Sequence, residues 1–238
     1  MAMNTILNAF AEAGVLLASF DSDFLAIVGL SLRVSLSAVL IACLIGFPLG
    51  AAVALFRFPG RGAVALMLNT FMGLPPVVVG LIVFLILSRS GPLGVLGLLF
   101  TPTAMIIAQA ILVTPIIAAL TRQIIEDLWG EYSEHLRSLN AGPLDTLGTL
   151  IYDARFSLST AVLAGFGRAI AEVGAVMIVG GNIDHATRVM TTAIALETSK
   201  GNLATALGLG IVLLVIALAV NAGVQIINAM GARKDAIA

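Results

Sequence analysis

The chain has 238 residues, of which 60% are hydrophobic and only 11% charged, with a formal net charge of −1. Soluble domains carry roughly 25% charged residues, so that class is excluded, and the near-neutral balance gives no electrostatic basis for a nucleic-acid partner. The single cysteine, Cys43, excludes an internal disulfide and a cysteine-based metal site.

Residues 34–56, 62–88, 90–121 and 201–232 contain no Asp, Glu, Lys or Arg. A bilayer span needs about 20 apolar residues, so each window is long enough to cross. The composition predicts an all-α polytopic protein, a single transmembrane domain over residues 1–238 with about five spans in contact with lipid. The first twenty residues carry no Lys or Arg, which argues against the basic start of a cleavable signal peptide.

Residues 1–23 are mildly amphipathic, with Ile6, Leu7, Phe10, Leu17 and Phe20 as the apolar positions and Glu12, Asp21 and Asp23 as the charges. They read as an N-terminal arm or a helix lying on the membrane surface. The first span is expected over 24–56, too long for a perpendicular crossing, with Arg33 near its outer end able to snorkel. A tight basic turn at 57–61 leads to a second span over 63–87. Pro75 and Pro76 interrupt that span, since a proline forces the residue before it out of helical geometry. Such a break persists in a bilayer where it lines a cavity, so both prolines are pore candidates, a plain kink being the alternative.

A third span is expected over 103–120, with Pro115 inside it. A charged segment then follows over about 122–156, where Glu126, Asp127, Glu131, Glu134 and Asp145 accompany Arg122 and Arg137. Its residues 131–141 read as one helix, with Gly142 taking the left-handed conformation at its end. Pro143 then suits the first turn of a second helix. Two short helices around a Gly-Pro corner make a knob suited to docking a soluble partner. The fourth span is expected over 158–179, a polar loop over 180–202, and the fifth span over 203–230. Arg168 and Glu172 stand four apart on the fourth span, where an intramembrane pair is a functional candidate or a mutual neutralisation. Gly165, Gly167, Gly174, Gly180 and Gly181 would allow close helix approach.

Basic residues set the orientation. Arg57, Arg61, Arg122, Arg137, Arg155, Arg233 and Lys234 fall on one side, and Arg89, Arg188 and Lys200 on the other. The N-terminus is therefore expected outside, with the C-terminus and the knob in the cytoplasm.

The charged segment resembles the coupling loop of ABC importer permeases, whose pattern is Glu-Ala-Ala, three residues, Gly, then an apolar position and Leu-Pro. Gly142 fills the glycine; Leu136 stands where the Glu is expected and Ala154-Arg155 replaces Leu-Pro. Residues 168–175, RAIAEVGA, are similar to the family's Arg-Ala-x-Gly-Glu-Phe-Gly-Ala stretch, with Ala171 in place of a glycine. Residues 74–81, LPPVVVGL, with GPLG at 91–94, resemble the molybdate and tungstate permeases. TRVMTTAI at 187–194 and LETSKG at 196–201 look most like the tungstate branch.

The resemblance implies a type I ABC importer permease fold in the plasma or inner membrane. It implies transport of an oxyanion, tungstate first and molybdate or another oxyanion as the alternative, by alternating access. The implied partners are a second copy of the chain, ATP-binding cassette ATPase subunits and an extracytoplasmic substrate-binding protein. Docking of the ATPase is expected at Glu131, Glu134, Arg137, Leu139, Asn140, Ala141, Gly142, Pro143 and Asp145. Pore or gate positions are Pro75, Pro76, Arg168, Glu172, Gly174, Thr191 and Thr192. Thr191 and Thr192 read as part of a gate or receptor-docking loop, and direct anion contact with Arg188 or Lys200 is the other reading. The sequence lacks a Gly-x-x-x-x-Gly-Lys-Ser/Thr loop, so no catalytic residue, metal site or cofactor is expected in this chain, ATP and Mg being the partner's. A stand-alone channel or ion-coupled carrier is the second functional class. A scaffold without transport is a third, which leaves the Pro75–Pro76 break unexplained.

Overall fold

The computed structural model describes residues 10–11, 14–15, 22–138 and 140–235. The arm positions Ile6, Leu7, Leu17 and Phe20 and the docking candidate Leu139 lie outside the described residues, as does the side chain of Arg137. Every regular element among the described residues is a helix: α1 (Ser22–Leu55), α2 (Arg61–Phe71), α3 (Pro76–Leu87), a 3-10 turn (Gly94–Leu96), α4 (Pro102–Ser138), α5 (Pro143–Asp153), α6 (Arg155–Ile170), α7 (Gly174–Gly180), α8 (Met190–Lys200) and α9 (Leu203–Asp235). Three of them, α1, α4 and α9, are long and apolar enough to cross a membrane. The count reaches five if α2 with α3 and α6 with α7 each form one broken span.

The 34 residues of α1 make a helix of about 50 Å, well beyond the roughly 30 Å of a hydrocarbon core. The break before α3 falls where the two prolines place it. Pro75 is extended (φ −65°, ψ 121°) and Pro76 opens the helix, where its missing N–H costs nothing. The Pro75 carbonyl accepts the first two bonds, from Val78 and Val79, at 3.1 and 3.2 Å.

Four sequence expectations are corrected. The charged segment does not begin a new helix at 131, because α4 runs unbroken for 37 residues through a stretch rich in strong helix formers. Its end is set by Asn140 (φ +52°), with the Ala141 N–H reaching back to Leu136 O at 3.1 Å, the closing bond of a Schellman turn. Gly142 is extended instead (φ −66°, ψ 161°), as the residue before Pro143 must be.

The fourth span is also not continuous. It stops at Ile170 and resumes at Gly174, so Arg168 lies in the last turn of one helix and Glu172 lies in the break. Finally, the polar loop over 180–202 contains α8, whose Met190, Thr191, Thr192 and Ala193 are buried.

The described residues gather into two compact units. The first takes the described part of Met1–Ser37 with Pro75–Gln109 and Ala169–Ala219. Here α3 and α7 touch backbone to backbone, and a Cβ on Gly80 would lie 2.7 Å from Ala175 Cα. Gly174, Gly180 and Gly181 are likewise filled by Val77, Met105 and Phe100 of the same chain.

The second unit takes the described parts of Ala38–Leu74, Ala110–Arg168 and Val220–Ala238. Its core joins Ala51 and Ala54 of α1, Ile125 and Leu136 of α4, Leu150 of α5, and Ala154 and Leu158 beyond it. Arg61 clamps its edge. The guanidinium donates to the α1 carbonyls of Val53 and Ala54 at 2.7 and 2.9 Å and to Glu126 Oε1 at 2.6 Å. Arg122 holds the other Glu126 oxygen at 2.6 Å. A cation at the end of α1 satisfies carbonyls that the helix itself leaves open. Glu126→Gln removes the charge that two arginines share, and should destabilise this unit by about 2 kcal/mol, read as a lower thermal midpoint in detergent. Arg61→Lys should recover less than half of a loss caused by Arg61→Ala, because an ammonium lacks the fork.

Candidate functional site

The corner between α4 and α5 stands on the core of the second unit. Leu136 is buried from the α4 side and Thr146 and Leu150 from the α5 side, while Ala141, Leu147 and Ile151 pack around them. This fixes which face of α5 turns out. Leu144 is 80% exposed and Tyr152 66% exposed. Glu131, Glu134, Asn140, Pro143 and Asp145 are exposed as well, with Ala141 and Gly142 half-buried. Asp145 sits in the first turn of α5, where its charge complements the helix dipole. Arg155 closes the other end, donating to Tyr152 O at 3.1 Å and lying 4.5 Å from the ring centroids of Tyr152 and Phe156. Among the described residues of this corner Leu144 is the exposed large aliphatic side chain, and Glu131, Glu134 and Asp145 are exposed acids.

In the first unit the break between α6 and α7 is tied down by buried polar groups. Glu172 is 3% exposed, and its Oε1 accepts the Ala175 N–H at 3.1 Å, serving the start of α7. Thr191 Oγ1 donates to the Glu172 carbonyl at 2.8 Å. Gln109 Nε2 donates to the Ala169 carbonyl at 3.0 Å, and Ser31 Oγ accepts the Met190 N–H at 2.8 Å. Beside them lies a cavity of about 10 Å3, lined in part by Ser31, Ser35, Gln109, Glu172 and Thr191. Thr192 is fully buried and closes the first turn of α8, accepting from Val189 N and donating to Val189 O, both at 3.1 Å.

The predicted gate residues thus divide. Glu172, Thr191 and Thr192 share the first unit with Gly174, Pro75 and Pro76, and Gly174 meets Val77 at the start of α3. Arg168, in the last turn of α6, belongs to the second unit. Sequence reasoning missed Gln109 and Ser31. Their signal was present, since a polar side chain inside an apolar span needs a partner.

The turn from α8 to α9 is held by Glu197, which accepts from Lys200 Nζ at 2.8 Å and from Asn202 Nδ2 at 2.9 Å. The bond from Lys200, aided by that from Asn202, outweighs partial burial and holds the Glu197 carboxyl below the usual carboxylate range. A lowered folded-state pKa adds stability at neutral pH that is lost as pH falls through the folded value. Amide exchange at Asn202 and Leu203 should therefore speed up as pH drops below about 4, after correction for intrinsic rates, and Glu197→Gln should remove that step.

Residues 46–230 match the family described as binding-protein-dependent transport system inner membrane component. The chain belongs to this family. This permease is 44% identical over 220 residues to the tungstate uptake system permease protein TupB of Peptoclostridium acidaminophilum, covering 92% of its own length and 96% of that protein's. It is 42% identical to a probable anion ABC transporter permease protein of Haloferax volcanii over 201 residues, covering 82% and 87% of the two chains. Identity to the TupB of Campylobacter jejuni is 40% over 219 residues, 92% of each chain. Similarity to the molybdenum transport system permease protein ModB of Azotobacter vinelandii is lower, 28% over 178 residues, covering 71% and 79% of the two chains. The permease is an all-helical, multi-pass protein of the inner membrane.

Proposed function

We propose that this permease is the membrane subunit of an ATP-driven importer for tungstate. The carrying observation is the 44% and 40% identity, across 92% of the chain, to two tungstate uptake permeases. In this reading two copies pair about a two-fold axis, the N-terminus lies outside, and the α4–α5 corner faces the cytoplasm. Separate ATPase subunits bind ATP and Mg and dock on the two corners, and an external binding protein delivers the anion. Closure of the ATPase pair draws the corners together. Because each corner is fused to α4 and packed on the core it shares with α1 and α6, the movement is passed to the spans as a rigid lever. The buried polar ties around Glu172 hold the α6–α7 break in register as access alternates.

The test is reconstitution of the permease with its ATPase and binding protein in liposomes. Tungstate uptake that requires ATP, and that is lost when the ATPase subunit is omitted, is the expected result. Uptake driven by an ion gradient without ATP overturns the reading in favour of a coupled carrier. Equal uptake of molybdate in competition moves the substrate assignment.

A further inference from the structure

The segment between α7 and α8 is more tightly built than a plain connection needs. Thr187 Oγ1 donates to the Gly180 carbonyl at 2.6 Å and accepts the Ile183 N–H at 2.9 Å. The N–H groups of Thr187 and Arg188 both return to Ile183 O, at 2.9 and 3.0 Å. Within this frame two residues other than glycine are left-handed, Asn182 (φ +49°) and His185 (φ +54°), a geometry that gathers at binding sites. Two polar atoms in it are buried without a partner, Asn182 Oδ1 and Arg188 Nε.

This loop walls a cavity of about 220 Å3 whose polar lining is Asp23 and Arg33 of α1 with Asp184, His185 and Arg188, beside Pro102 at the start of α4. At ~30 Å3 per water the volume holds about seven waters, enough for a tetrahedral anion with part of its hydration. Arg188 Nη1 grips Asp184 Oδ1 at 2.7 Å, so that carboxylate is already neutralised. Arg33 makes no ion pair among the described residues, and its guanidinium edge is open to a two-point contact with an oxyanion. Asp23 remains as the opposing charge, which keeps any anion site here weak. Weakness suits a place where cargo must pause and leave.

We propose that Arg33 and Arg188 form a low-affinity site for a tetrahedral oxyanion at the outer mouth of the permease, with Asp184 holding Arg188 in place until the anion competes for it. This rests on the transport reading above, and names the side chains that first meet the cargo after the receptor releases it.

The test uses the permease–ATPase complex in nanodiscs, without the binding protein, and equilibrium dialysis with radiolabelled tungstate. Saturable binding is expected in the wild type, weakened about tenfold or more by Arg33→Gln and by Arg188→Gln, the scale of losing one charge-assisted contact. Asp184→Asn should act in the opposite direction and tighten binding, which an unfolded variant could not do. Arg33→Lys should restore part of the loss. Wild-type tungstate binding in both glutamine variants overturns the proposal. So does a loss of binding-protein affinity in those variants with tungstate binding unchanged, which would assign the arginines to receptor carboxylates. If the full system transports tungstate under ATP while dialysis shows no arginine dependence, only this site fails. If it transports no oxyanion at all, the transport reading fails with it.

Discussion

Leu144→Ala is expected to weaken retention of the ATPase subunit by about 30-fold and to reduce ATP-driven uptake in proportion, with the permease's own thermal midpoint unchanged. The side chain is 80% exposed on a helix whose opposite face is locked into the core. An exposed leucine is unremarkable by itself; this one follows Pro143 at the start of α5 and stands next to the exposed Asp145. Burying a leucine against a partner is worth about 2 kcal/mol, and 1.4 kcal/mol is a factor of ten in affinity. Leu150→Ala is the counterpart. Leu150 is fully buried beneath the same helix, so its truncation should cost roughly 2–5 kcal/mol of stability and lower the thermal midpoint before any docking is measured. Wild-type copurification of the ATPase with Leu144→Ala would remove the corner from the coupling route.

The corner itself was legible because its signals are local. Pro143 fixes where α5 begins, and the charges of 122–156 mark where the apolar pattern stops. What the sequence did not disclose was that the left-handed position falls two residues before Gly142. Glycine is the default, yet Gly142 is constrained by the proline after it, and the turn falls to Asn140. The break at 171–173 was hidden for a different reason. No proline marks it, and its stability comes from Glu172, Thr191 and Gln109, which the chain brings together from separate stretches. Periodicity cannot reveal an interruption that is compensated by distant side chains. For the same reason α8 read as loop: its polar threonines look solvated in the sequence, while in the fold their hydroxyls serve backbone groups.

Glycines show the same limit, because residue type does not say which ones are in contact, and that leads to an expected pair of opposite results. Gly50→Ala should lower the yield of folded permease sharply, and Gly130→Ala should raise its thermal midpoint. Both glycines lie in helix interiors, where alanine is intrinsically better by about 1 kcal/mol. At Gly130 a Cβ meets nothing within 4 Å, so that preference acts alone. At Gly50 the Cβ would fall 2.3 Å from the Ala118 carbonyl oxygen, 2.8 Å from Thr121 Cβ and 3.0 Å from the Arg122 amide nitrogen. Two of those atoms are backbone, so no rotamer change can make room and α1 must move off α4. Overpacking of this kind costs about 1–3 kcal/mol where side chains yield, and more where a helix must shift. The displacement would also pull the Val53 and Ala54 carbonyls away from Arg61, adding loss of the clamp to loss of packing. Thermal midpoints of the two variants in one detergent decide it, and a Gly50→Ala protein as stable as wild type would mean that α1 and α4 do not cross at this glycine.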